Sequence, residues 1–258
     1  GFDGVDVTQK EPFSNRVLAG GDDPATPQTS YAYNSVKRAI DSIADPEVVE
    51  CNLAAMPGIT NEGLTNHLLT TCEARADALA IIDIEGDYTP STENTSAERN
   101  RLPDVDDAVQ SLQNRRINSS YGCCYFPWVQ VRDTINDAVL WAPPSVVALG
   151  TMASSQRSTE VWFAPAGFNR GGLTEGSAGL PVSQVRYRLT SKERDKLYEA
   201  NINPIATFPS EGIVIFGQKT LQVTPSALDR INVRRLMIFL KKEVSRIAAT
   251  TLFEQNVQ

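Results

Sequence analysis

"ALAIIDIEG", residues 78–86, is apolar without interruption from Ala78 to Ile82 and meets its first charge at Asp83. A strand with one wet face alternates apolar and polar side chains. A short unbroken run is the pattern of a strand buried on both faces, as in a parallel sheet covered by helices. The flanking segments agree. "NEGLTNHLLTTCEARA" (61–76) and "VDDAVQSLQNRR" (105–116) carry apolar residues at helical spacing. Further upstream, "YAYNSVKRAIDSIAD" places Tyr33, Val36, Ile40 and Ile43 at that spacing, and Pro46 follows its end. "VVECNLAAMPG" (48–58) reads as a strand stopped by Pro57-Gly58. "SSYGCCYFPWVQV" (119–131) reads as another, and "SVVALGTMAS" (145–154) is a further apolar run of the same kind. Strand–helix–strand alternation predicts an α/β fold: a mostly parallel sheet with helices on both faces.

The texture changes near residue 155. "STEVWFAPAGFNRGGLTEGSAGLPVSQV" is Gly-rich and loop-like, and "FNRGGLTEGSAG" (168–179) within it reads as a flexible loop. "LTSKERDKLYEANINP" is a short helix with a capping box from Thr190 to Glu193, and "PIATFPSEGIVIFGQKTL" is two strands around a turn at Pro209–Gly212. These divisions predict an extended lead-in over 1–29, an α/β unit over 30–155 and a smaller α+β C-terminal unit over 156–258. A polar loop is expected over 86–104.

Composition narrows the function. The chain has 258 residues, and 24 basic against 31 acidic side chains give a net charge of −7. Such a balance offers no general attraction to nucleic acid or an anionic membrane. No stretch reaches the roughly 18–20 apolar residues of a membrane span. Cys51, Cys72, Cys123 and Cys124 match no zinc or redox spacing and are expected to be reduced and mostly buried, as in a reducing compartment. No metal or cofactor is implied. Trp128, Trp162 and Phe216 read as core.

An α/β sheet invites an enzyme, because ligands bind at the carboxyl ends of its strands. The candidates are Asp83 and Glu85, at such an end, and His67, the only histidine, in mid-helix. A hydrolase-like α/β enzyme would have to use them, yet no nucleophile elbow, HExxH or Walker A pattern accompanies them. The more distinctive feature is the last helix, within "DRINVRRLMIFLKKEVSRIAATTLFEQN" (229–256). At about 100° per residue, Leu236, Leu240 and Ile247, flanked by Phe239 and Val244, share one face and are expected to be buried. Arg234, Arg235, Lys241, Lys242 and Arg246 fall opposite, around Ile238 and Ser245. Read alone, that basic face is solvated surface; a nucleic-acid-binding reading rests on it alone and conflicts with the net charge.

These strings, in this order, together with "RVLAGGDD" (16–23) and "WAPPSVVALGTMA" (141–153), resemble contractile tail sheath proteins of bacteriophages and, more distantly, tailocin and type VI secretion sheaths. The resemblance runs from about Arg16 to Asn256; "APAGFNRG" (164–171) and "INVRRL…FLKKEVS" with "LFEQN" are its most specific parts. It implies a subtilisin-like α/β fold without catalytic residues, a smaller C-terminal domain, and no enzymatic activity. It also implies stacked hexameric rings around a tail tube, contraction triggered at the baseplate, and contacts with tube, baseplate and tail terminator proteins. The localisation it implies is the virion, after assembly in the bacterial cytoplasm. The domain carrying the basic helix would face the tube, so Arg234, Arg235, Lys241, Lys242 and Arg246 become candidates for gripping an acidic tube. Without the terminal arms that link family members by strand addition, the chain is expected to be monomeric in dilute solution.

Overall fold

The computed structural model describes residues 27–85, 104–133, 137–174, 176 and 178–252. The lead-in over 1–29 and the loop over 86–104 lie outside these but for their last positions: Pro27 already opens a helix, and Asp104 caps one. "RVLAGGDD" and "LFEQN" lie outside as well, except for Leu252.

The main sheet has the order β1-β2-β3-β7-β8, built from β1 (Leu53–Ala55), β2 (Leu79–Ile82), β3 (Gly122–Phe126), β7 (Asn203–Phe208) and β8 (Gly212–Ile215). The first four run parallel, and β8 returns antiparallel through the turn foreseen at Pro209–Gly212. A second, antiparallel sheet has the order β5-β4-β6, from β4 (Val129–Asp133), β5 (Ala138–Ala142) and β6 (Val182–Val185).

The opening run behaves as its composition demands. Leu79 and Ile81 point into one core and Ala80 and Ile82 into the other, and all four are buried. Cys123 and Cys124 on β3 divide in the same way, because successive side chains of a strand face opposite sides. The first core packs α1 (Pro27–Asp41), α2 (Glu62–Arg75), α3 (Val105–Asn114) and α5 (Ser191–Glu199) against the sheet. The second packs α4 (Pro144–Ser158), the small sheet and the start of α6 (Ile231–Thr251). Helices on both faces, as expected, make a three-layer mixed α/β fold. Each fully buried Leu or Ile contributes about 1.5–3 kcal/mol.

Three readings are corrected. "SVVALGTMAS" is helical, not a strand like "ALAIIDIEG": Pro144 at the first turn fixes its start, and Val147, Ala148, Thr151 and Met152 bury at helical spacing. "APAGFNRGG" is an ordered cover for the open edge of β8, not a flexible loop. Gly167 N–H donates to Ile215 O at 2.9 Å, and Ile215 N–H to Gly171 O at 2.8 Å. A β-carbon on Gly171 would lie 2.6 Å from Ile215 O, so this close approach needs glycine. Pairing the edge in this way removes a template for unwanted strand addition. Finally, Phe216 is 40 % exposed and clusters with Phe168 and Phe208 at ring distances of 5.0–5.6 Å instead of joining the core.

Residue 155 lies inside α4, and the packing has no break there. β7 from the far side pairs with β3, and β6 pairs with β4. On α5, Thr190 Oγ1 accepts from Glu193 N–H while Glu193 accepts from Thr190 N–H, completing the expected capping box. Thr190→Ala is expected to cost about 1 kcal/mol, read as a lower urea midpoint with an unchanged slope.

Candidate assembly surface

The last helix is positioned by strand-like backbone before it. Ile231 N–H donates to Gln218 O at 2.8 Å, and Lys219 and Arg230 form an isolated bridge. No side chain caps its N-terminus. The residues of α6 that face the body are Ile231, Arg234, Arg235 and Ile238, at i, i+3, i+4 and i+7. This departs from the predicted orientation: Arg234 and Arg235 are buried, Leu236 and Phe239 are half-buried, Leu240 is exposed, and from Val244 to Thr251 every residue of the helix is exposed. Met237, Leu240, Val244 and Ile247 are 46, 44, 63 and 59 % exposed, and Leu252 beyond them is 71 % exposed. Their 3-4-3 spacing draws an apolar stripe along the outer side. Phe239 is half-buried against Trp162, with ring centroids 5.2 Å apart.

The two arginines can be buried because each guanidinium finds a partner for part of its surface, although Arg234 Nε and Arg235 Nη1 are buried without one. Arg234 is 8 % exposed; it stacks on Tyr121 at 4.0 Å and donates to Ser120 Oγ. Arg235 is 2 % exposed and donates from Nη2 to Gln156 Oε1 at 3.0 Å. Burial lowers its pKa, but guanidinium stays charged. Of the five basic candidates, Arg234 and Arg235 are therefore covered by the chain's own strands and α4 and are not on an outer face. Lys242 forms an ion pair with Glu50 at 2.5 Å, Lys241 donates to Arg75 O at 3.4 Å, and Arg246 pairs with Glu243 at 2.8 Å.

The enzyme candidates are dispersed. His67 Nε2 lies 2.6 Å from Asp41 Oδ1, joining α2 to α1. Glu85 stands beside a polar cleft of about 450 Å³ with Glu62, Asp107 and Arg115. Asp83 is 1 % exposed and accepts from Gly58 N–H at 2.8 Å, Ser145 N–H at 3.2 Å and Ser145 Oγ–H at 2.7 Å. It ties the end of β2 to the turn after β1 and to the first turn of α4, a structural clamp. Burial also pushes the thiols of Cys72 and Cys123 up to about 12, so neither is a thiolate at neutral pH. Among the described residues no cluster of His, Cys, Asp and Glu could hold a metal.

Burial raises Asp83 to about 6 despite its three hydrogen bonds, above the roughly 3.9 of an unfolded chain. The folded state thus binds the proton more tightly. The resulting stabilisation, roughly 2–3 kcal/mol, is complete below about pH 4 and is lost as pH rises through about 6. Asp83→Asn is expected to flatten the stability profile between pH 4 and 6.5, read from urea midpoints.

No family model matches the chain. Individual relatives do. The tail sheath protein of Enterobacteria phage T4 is 29 % identical over 264 residues, covering 99 % of this chain and 37 % of the relative. That of Vibrio phage KVP40 is 30 % identical over 244 residues, covering 95 % and 32 %. The solved anti-feeding prophage (AFP) helical sheath in its contracted state matches with a TM-score of 0.57 and 25 % identity, over 86 % of this chain and 53 % of that one. The chain belongs to the contractile tail sheath family. It spans about a third of the length of the curated relatives it matches.

Within this sheath chain, sequence reasoning located the helix that carries the most distinctive surface but turned it the wrong way. The available signal was the pair Arg234-Arg235, one turn before Ile238 and one turn after Ile231. Arginine stems bury readily where the head meets an aromatic face or an amide.

Proposed function

We propose that this chain is the α/β core of a contractile sheath subunit, a structural part and not an enzyme. In the complete polypeptide it polymerises as stacked hexameric rings around a tail tube. Contraction then drives the tube through the host envelope for genome ejection. The observation that carries this is the alignment of 95 % of the chain with a tail sheath protein. The dispersal of Asp83, Glu85 and His67 among separate structural partners favours it over the hydrolase reading. The finer features belong to the same proposal: a subtilisin-like ancestry of the layered sheet, a boundary near 155 at the level of assembly, contacts with tube, baseplate and terminator, and residence in the virion after assembly in the host cytoplasm.

The outer side of α6 is the proposed contact surface. Met237, Leu240, Val244 and Ile247 form its apolar centre, and contiguous exposed apolar surface marks interaction sites. Lys241 and Arg246 flank it as exposed cations suited to an acidic tube, with Lys242 held at the rim by Glu50. Energy for contraction would reside in the difference between two sets of subunit interfaces, with packed units moving as bodies.

Electron micrographs of the complete polypeptide test the assignment. Tubes or contracted polysheaths are expected. Only dispersed particles under every assembly condition, accompanied by a hydrolytic activity abolished by Asp83→Asn, would favour the rival.

A further inference from the structure

Arg235 is a buried cation whose charge is not neutralised. Its Nη2 is bonded to Gln156, but its Nη1 is buried and has no hydrogen-bond partner. Among the described residues no carboxylate forms an ion pair with it; the groups acting on its charge are Tyr125 and the Cys123 thiol, both kept protonated by burial. Burying an ion without a counter-charge costs several kcal/mol, and an unmade hydrogen bond adds to that.

The side chain also lines a pocket of about 220 Å³, between the approach to β1, α4 and α6. Glu50, Asn52, Gln156, Lys242 and Glu243 line it too. Gln156 Oε1 is fixed by Asn52 Nδ2 at 3.3 Å and by Arg235. The two acids are already matched: Glu50 to Lys242 at 2.5 Å, Glu243 to Arg246 at 2.8 Å. Both acids are thus bonded to other cations, and Arg235 is the lining charge without an ion pair of its own among the described residues.

We propose that this pocket is a carboxylate receptor, in which a carboxylate entering beside Gln156 accepts from the Arg235 guanidinium and is flanked by Lys242 Nζ. Guanidinium and carboxylate match in geometry, and such charge-assisted bonds are about twice as strong as neutral ones. The pocket exceeds the volume of a few waters, at roughly 30 Å³ each, so it can take an aspartate or glutamate side chain of another polypeptide or a free small carboxylate. The site is independent of the sheath reading and is tested on the chain alone.

Sodium acetate is titrated against sodium chloride at equal ionic strength and pH 7.5, following the thermal midpoint and the guanidinium signals of ¹⁵N-arginine-labelled protein. Acetate, unlike chloride, is expected to raise the midpoint saturably and to shift the Arg235 signal. Arg235→Met is expected to fold at least as well in chloride, since apolar replacement of an uncompensated buried ion is often neutral or stabilising, and to lose the acetate response. Lys242→Ala, at the rim, keeps the fold and weakens acetate binding by up to about fivefold; it serves if the methionine variant does not fold. A blocked Gly-Glu-Gly peptide binding tenfold tighter than acetate assigns the occupant to another polypeptide, and acetate binding without peptide binding assigns it to a free carboxylate. Identical behaviour of acetate and chloride in the unaltered protein, with no Arg235 shift, overturns the proposal.

Discussion

The double reversal Arg234→Glu, Arg235→Glu is expected to unfold the chain, whereas Lys241→Glu with Arg246→Glu leaves it folded. Reversing Arg234 removes the stack on Tyr121 and the bond to Ser120, and reversing Arg235 removes the bond to Gln156 and buries a carboxyl in place of the guanidinium. A buried charge without its partner costs about 3–5 kcal/mol. Two such losses approach or exceed the 5–15 kcal/mol that holds a typical domain together. Lys241 and Arg246 are exposed, and surface pairs are each worth about 0–1 kcal/mol. Far-UV circular dichroism and urea midpoints separate the two outcomes. A folded Arg234→Glu, Arg235→Glu protein would restore the outward-facing basic stripe that the sequence suggested.

The second large effect belongs to the central strand. Ile81→Ala and Ile82→Ala are each expected to cost about 2–5 kcal/mol, because the two side chains enter different cores and are 0 and 1 % exposed. Because the two side chains enter different cores, the double truncation is expected to cost more than either alone. On β4 the outcome differs. Val131→Ala is costly, but Arg132→Ala is nearly neutral, since Arg132 is exposed and paired at the surface with Asp137. If one of the two isoleucine truncations proved silent, β2 would have a wet face and the three-layer arrangement would be wrong.

These contrasts show which parts of the fold local sequence could convey. The unbroken run at Ala78–Ile82, the spacing of Leu64, Leu68 and Cys72 on α2, and the Thr190–Glu193 box are short-range signals, and each gave the right element. "SVVALGTMAS" defeated the same reasoning because a short apolar run does not distinguish a buried strand from a buried helix. Pro144, compatible with a helix only in its first turn, was the overlooked arbiter. The parallel pairing of Tyr125 and Phe126 with Asn203 and Pro204 joins segments far apart in the chain. No local pattern announces it.

The orientation of α6 failed for a related reason. Hydrophobicity assigns Leu240 and Ile247 inward and Arg234 and Arg235 outward. That rule holds only while buried arginines lack partners. Here Ser120, Tyr121 and Gln156 supply them from distant segments, and the apolar side is left outward. The enzyme candidates illustrate the converse. Asp83 has the burial and the raised pKa of a catalytic acid, but its bonds run to Gly58 and Ser145, where it fastens the layers together.

Hydroxyl-radical footprinting of α6, in the isolated chain and in tubes of the complete polypeptide, tests the central claim most directly. The account predicts that Met237, Leu240, Val244 and Ile247 are oxidised in the isolated chain and become protected in the tubes, while Ile231 and Ile238 are protected in both. A stripe already protected in the isolated chain, or one still reactive in assembled tubes, would contradict it.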